Sequence, residues 1–103
     1  MKKLIPLFLV AVAHATFAGE FQVSQTNKAF STAELKVKVG DTVVFTNNDS
    51  FAHNIFSLSD TKSFDLGSFG QGQSRKVTFD KPGTVEVECA LHPGMKMTVL
   101  IQK

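Results

Sequence analysis

Polar and apolar residues alternate with period two over most of the chain beyond residue 20, and nowhere with the 3.6-residue period of an amphipathic helix. Lys36-Val37-Lys38-Val39 alternates strictly, Gly40-Asp41 breaks the run as a turn, and Thr42-Val43-Val44-Phe45-Thr46 resumes it. Arg75-Lys76-Val77-Thr78-Phe79 alternates again. Lys81-Pro82-Gly83-Thr84 then carries Pro and Gly at the second and third positions, the order of a type II turn. Thr84 to Cys89 puts Val85, Val87 and Cys89 on one face, and Met97 to Ile101 closes the pattern. Phe21 to Gln25 and Asn54 to Leu58 are weaker strand candidates. A short helical turn is expected within Thr61 to Leu66. Short strands separated by turn residues predict an all-β fold, a Greek-key β-sandwich or barrel of about seven to eight strands, antiparallel in character.

The N-terminus follows another rule. Lys2 and Lys3 precede a short apolar run from Leu4 to Ala13, and small residues follow at Ala13, Ala15 and Ala18. This is the order of a secretory signal peptide, and the run is too short for a membrane-spanning helix. Residues 1–18 are therefore expected to be removed by cleavage after Ala18, with Ala15 as the alternative, leaving residues 19–103 as one domain in the periplasm.

Processing changes the charge balance. The full chain has 11 basic and 9 acidic residues. Loss of Lys2 and Lys3 leaves as many basic residues as acidic ones, so a nucleic-acid partner, which needs a basic face, is not expected. A domain of this size has a modest core. Eight of the 10 phenylalanines lie beyond residue 18 and supply its bulk without a polar tip to satisfy.

The chemistry concentrates in Glu88-Cys89-Ala90-Leu91-His92-Pro93-Gly94-Met95, which holds the only cysteine. With His14 lost, His53 and His92 are the remaining histidines. Outside the cytoplasm, a lone thiol must be buried, paired between chains or bound to metal. Each residue alone has an ordinary alternative: Cys89 as a small buried hydrophobe, His92 and His53 as loop and edge histidines, Met95 as an apolar anchor. Together they form two imidazoles, a thiolate and a weak thioether, a set suited to copper. The strand pattern sets Cys89 at a strand end, His92 and Met95 on the following loop and His53 near a strand start, so all can meet at one end of a sandwich. Covalent haem attachment would need a second cysteine, and structural zinc a fourth strong ligand. A small thiol-dependent hydrolase would need a substrate cleft that so short a chain can scarcely build.

From Leu35 to Lys103 the sequence resembles the cupredoxins, the small blue-copper proteins of plastocyanin and amicyanin type. The resemblance rests on Val39-Gly40-Asp41-Thr42-Val43-Val44-Phe45-Thr46-Asn47-Asn48-Asp49, His53-Asn54, Lys81-Pro82-Gly83-Thr84 and Cys89 to Met95. The two residues between His92 and Met95 are similar to the short amicyanin-type loop; plastocyanins carry four there. The resemblance implies His53, Cys89 and His92 as equatorial ligands and Met95 as the long axial one. It also implies that Asn54 donates its backbone N–H to the cysteine sulfur while its side chain ties the ligand loops together. Glu88 stands where relatives often have an aromatic residue, and Ala90-Leu91 where they often have Thr-Pro or Ser-Pro.

The expected function is that of a periplasmic, monomeric one-electron carrier, not an enzyme, which meets redox proteins of dehydrogenase or cytochrome type transiently. The alternative is a copper-delivery protein built on the same fold. Met97 is the competing axial candidate, but it opens the alternating run Met97-Val99-Ile101 and reads as strand packing.

Overall fold

In the computed structural model, which describes residues 18–103, the described residues form nine strands and no helix. The segment expected to be a signal peptide falls outside the described residues, apart from Ala18. The strands are β1 (Glu20–Thr26), β2 (Ala29–Phe30), β3 (Glu34–Lys38), β4 (Thr42–Asn47), β5 (His53–Leu58), β6 (Ser63–Phe69), β7 (Ser74–Thr78), β8 (Gly83–Cys89) and β9 (Lys96–Gln102). They build two sheets, ordered β2-β1-β4-β7 and β3-β9-β8-β5-β6. The expected all-β Greek-key sandwich is the fold found.

Alternation explains the core. Val85, Val87 and Cys89 of β8 point inward, as do Met97, Val99 and Ile101 of β9. They meet Val23, Val43 and Phe45 from the facing sheet, with Phe69 and Phe79 filling the gap. Phe45, Val43, Val85, Val87, Val99 and Ile55 have no exposed surface at all. Truncating a phenylalanine in such a core costs about 3–5 kcal/mol.

Three expectations are corrected. The pairing is not wholly antiparallel: β1 runs parallel to β4, and β3 parallel to β9. Parallel neighbours need a crossover, and the chain supplies one by passing from β1 and β2 in one sheet to β3 in the other before returning to β4.

The helical turn expected within Thr61 to Leu66 is instead the loop into β6 and its first half. Phe64 and Leu66 pack against the core at strand spacing, yet Phe69 is inward too, out of step with them. A β-bulge reconciles the three. Asn54 pairs with Ser68 and Phe56 with Asp65, so β6 spends one more residue than β5. Gly67, at φ 74°, takes the left-handed conformation that such an extra residue requires. The bulge resets the alternation and delivers Phe69 opposite His53.

Lys81 to Thr84 is not a type II turn. Gly83 has φ 142°, well beyond the roughly 80° of that turn's third position, and already belongs to β8. A Cβ there would lie 2.6 Å from Thr61 Oγ1, so the glycine is required by the close approach of the β5–β6 loop.

Candidate metal centre

Three segments converge at one end of the sandwich: the start of β5, the end of β8 and the β8–β9 loop. Cys89 is the last residue of β8, on its inward face and 3% exposed. His53 is the first residue of β5, pinned between Phe69 of β6 and the site, and fully buried. His92 is half-buried on the loop. Cys89 Sγ lies 3.6 Å from Nδ1 of His53 and 3.6 Å from Nδ1 of His92. One donor atom from each residue falls within 4.8 Å of the others. The imidazole rings meet edge to face, with centroids 4.8 Å apart.

Backbone hydrogen bonds shape the loop. His92 N–H donates to Cys89 C=O at 3.3 Å, and Met95 N–H to His92 C=O at 3.0 Å. Cys89 N–H in turn donates to Met95 C=O at 3.3 Å, closing the loop on itself. Met95 is 4% exposed, while Leu91, Pro93 and Gly94 around it face solvent. Met97 of β9 is paired with Val87 of β8 and buried in the core, as its place in the alternating run predicts.

Asn54 joins the two segments, with its N–H on the sulfur as the resemblance implies but with no side-chain tie. Its N–H donates to Cys89 Sγ at 3.3 Å, and its C=O accepts from Ala90 N–H at 3.0 Å. Among the described residues no side-chain hydrogen bond of Asn54 accompanies them; the tie is made by main chain. An N–H aimed at sulfur stabilises a thiolate over a thiol.

The residue missed in the sequence is Asp49. Its Oδ2 accepts from His53 Nε2 at 2.8 Å, and the same carboxylate accepts the N–H groups of Asn27 at 2.7 Å and Lys28 at 3.1 Å. Burial pushes this carboxyl up, but the His53 hydrogen bond and the two backbone N–H groups outweigh it, and the net direction is down. An ionised carboxylate only accepts, so Nε2 carries a proton, which in the neutral ring leaves the Nδ1 lone pair facing the cluster. Asn27 and Lys28 sit at positive φ, 55° and 60°, in the tight β1–β2 turn. Their N–H groups, turned towards Asp49, help hold that unfavourable conformation. Asp49 is placed in turn by its own N–H donating to Asn47 Oδ1 at 2.7 Å.

Phe51 covers the cluster, its ring centroid 5.5 Å from that of His53 and 5.3 Å from that of His92. Lys28 Nζ stands 5.7 Å from the Phe51 ring and, among the described residues, is the one Lys, Arg, Asp or Glu lining the shallow cavity formed with Leu91, His92, Pro93, Gly94 and Met95. The His92 pKa is lowered, first by burial and then by the nearby His53 and Lys28.

The donor set fits copper. Two imidazole nitrogens, one thiolate and a buried thioether at the same loop are soft-to-borderline ligands, with no cluster carboxylate free to favour a hard ion. Asp49 acts behind His53, the place where histidine ligands commonly find a carboxylate.

The model of the family described as copper-binding proteins, plastocyanin/azurin family, matches residues 17–102. Amicyanin-alpha of Methylorubrum extorquens is 31% identical over 88 residues, an alignment covering 82% of this chain and 74% of that protein. Amicyanin of Paracoccus denitrificans is 30% identical over 94 residues, covering 82% of this chain and 66% of that protein. The structure of an oxidised amicyanin mutant superposes with a TM-score of 0.74 at 27% identity, covering 80% of this chain and 81% of the other.

Proposed function

The chain belongs to the plastocyanin/azurin family of copper-binding proteins, and on that premise we propose that it is a type 1 blue copper protein carrying single electrons between redox partners. His53, Cys89 and His92 would serve as the strong ligands and Met95 as a weak fourth one. The observation that carries this reading is the convergence of one thiol and two imidazoles within 4.8 Å, with an N–H already directed at the sulfur.

Bound copper supplies a one-electron couple between Cu(I) and Cu(II). Everything else falls to the chain. Asp49 fixes the His53 ring and its tautomer; Asn54 N–H and the strand end hold the Cys89 sulfur. Ligands on two paired strands move little, and a site that moves little reorganises little when its charge changes. His92 forms the edge nearest solvent. Leu91, Pro93 and the partly exposed Phe51 surround it as an apolar collar, with Lys28 at the rim. This collar suits brief docking with a dehydrogenase or cytochrome. Export to the periplasm accords with the N-terminal pattern, and among the described residues no helix is long and apolar enough to cross a membrane.

A copper-delivery role would require the ion to leave readily. His53, Cys89 and Met95 are each at most 4% exposed, which favours retention. Voltammetry of the copper-loaded protein with a competing Cu(I) chelator separates the two roles. A reversible one-electron wave with copper retained over many cycles is expected. Transfer of copper to the chelator on each reduction would overturn the carrier reading in favour of delivery.

A further inference from the structure

At the far end of β4 from the ligand cluster, a second buried carboxylate has, among the described residues, no partner of opposite charge within ion-pair distance. Asp41 is 7% exposed. Its Oδ1 accepts the N–H of Gly19 at 2.7 Å, and its Oδ2 the N–H of Lys38 at 2.7 Å. Those two bonds hold the carboxyl below its ordinary range against the effect of burial, with the Lys38 charge adding to them. Yet among the described residues no lysine or arginine side chain comes within ion-pair distance of Asp41. Buried charges are ordinarily paired.

The Gly19 position is built for close approach. A Cβ there would lie 3.3 Å from the Phe21 ring and 3.4 Å from Asp41 Oδ1, tighter than or at the edge of ordinary contact. The residue before it, Ala18, is small and exposed, and small residues precede signal cleavage sites.

We propose that the exported chain begins at Gly19, and that its α-ammonium, created by cleavage after Ala18, is the missing counter-charge of Asp41. A signal-peptide protease hydrolyses the Ala18–Gly19 bond. Water's hydroxyl goes to the Ala18 carbonyl carbon and its hydrogen to the Gly19 nitrogen. That amine takes up a further proton from solvent, since an α-amino group has a pKa of about 7.7–8.0. A neutral amide contact thereby becomes an ion pair at the same atoms. The pair clamps the start of β1, in one sheet, to the Lys38–Asp41 turn that leaves β3 of the other. Signal removal would thus complete the fold as well as release the protein.

The inference goes beyond the copper reading and extends the export reading, and one experiment separates their failures. The full chain is expressed with export, and the intact mass and N-terminal sequence of the recovered protein are measured. A start at Gly19 is expected. A start at Thr16 would leave export standing and overturn the inference, whereas Met1 retained on an unexported chain would overturn both. The Gly19-start protein is then compared in urea with one carrying an extra alanine inserted before Gly19. If that chain is not recovered, α-amine acetylation of the purified protein takes its place. Either change should lower the unfolding midpoint, and the difference should vanish when both forms carry Asp41→Asn. An equal midpoint in the Asp41 background, or a difference that persists with Asp41→Asn, would overturn the ion pair. The copper spectrum should be the same in all forms, because Asp41 is remote from the ligands.

Discussion

The two histidines of the cluster are the same group in unlike settings. His53 opens a strand, is fully buried and has both ring nitrogens engaged, Nε2 with Asp49 and Nδ1 facing Cys89. His92 rides on a short loop, is half-buried, and among the described residues makes one side-chain hydrogen-bonding contact, from Nδ1 to the Cys89 sulfur. One half of the site is built into the sheet, and the other is held by loop turns and by whatever both imidazoles bind. The difference teaches that rigidity and access are supplied by separate ligands. A carrier needs both: a fixed sulfur and first imidazole to limit rearrangement, and a second imidazole near enough to solvent for electrons to pass.

The sharpest break of this comparison is to remove each ring in turn. Both His53→Ala and His92→Ala should abolish the blue site. In the copper-free protein they should differ. His53→Ala leaves Asp49 without its side-chain donor in a buried place, for a loss of about 1–3 kcal/mol. His92→Ala strips no buried carboxylate of its donor and should cost less. Urea unfolding of the two apo variants checks this, and equal losses would refute the asymmetry.

Asp49→Asn keeps the shape but removes the charge behind His53. Copper affinity should fall about 10–100-fold, the usual cost of losing a partner to a ligating histidine. Competition with a chelator of known affinity reads it out. An unchanged affinity would mean that β5 alone orients the ring.

The pH response should track His92. Its pKa in the copper-free fold lies below the ordinary 6.5, because burial, then His53 and Lys28, disfavour its charged form. As pH falls through about 6.5 the unfolded chain takes up that proton first, so stability is lost on acidification and is level above neutrality. The decline of the apo unfolding midpoint between about pH 7.5 and 5.5 should shrink in His92→Gln; a decline of the same size would assign it elsewhere. With reduced copper bound, the same asymmetry should make His92 the residue that yields to a proton, and the reduction potential should rise as pH falls.

The smallest effects separate the methionines. Met97→Leu is a volume-conserving swap within β9 and should cost under about 1.5 kcal/mol with the spectrum unchanged. Met95→Leu should keep a coloured site and raise its potential, since a lost weak donor disfavours Cu(II). The reverse pattern would move the axial role to Met97.

Much of this molecule is legible in its sequence because alternation and a rare-residue cluster are local signals. Val85, Val87 and Cys89 announce their shared face, and one cysteine with two histidines leaves few ways to assemble a soft metal site. What escapes is set by partners remote in sequence. Phe64, Leu66 and Phe69 look out of step until the Gly67 bulge opposite Asn54 restores their common face. The two-residue β2 is too short for any pattern, and the parallel pairings of β1 and β3 depend on strands far along the chain. Asp49 reads as a turn residue in Asn47-Asn48-Asp49-Ser50. Its spacing of four residues before His53 was the available hint, but its bonds to Asn27 and Lys28 exist only once β1 and β4 pair.

The central claim is that Cys89, with His53 and His92, holds copper as a thiolate site. The visible and EPR spectra of the copper-loaded protein, recorded beside those of Cys89→Ser, test it most directly. An intense thiolate-to-copper band and the narrow copper hyperfine splitting of a blue site are expected in the first protein. Neither is expected in the second, which should remain folded because its core does not depend on the metal. An intense band that survives Cys89→Ser, or its absence from the unaltered protein fully loaded with Cu(II), would contradict it.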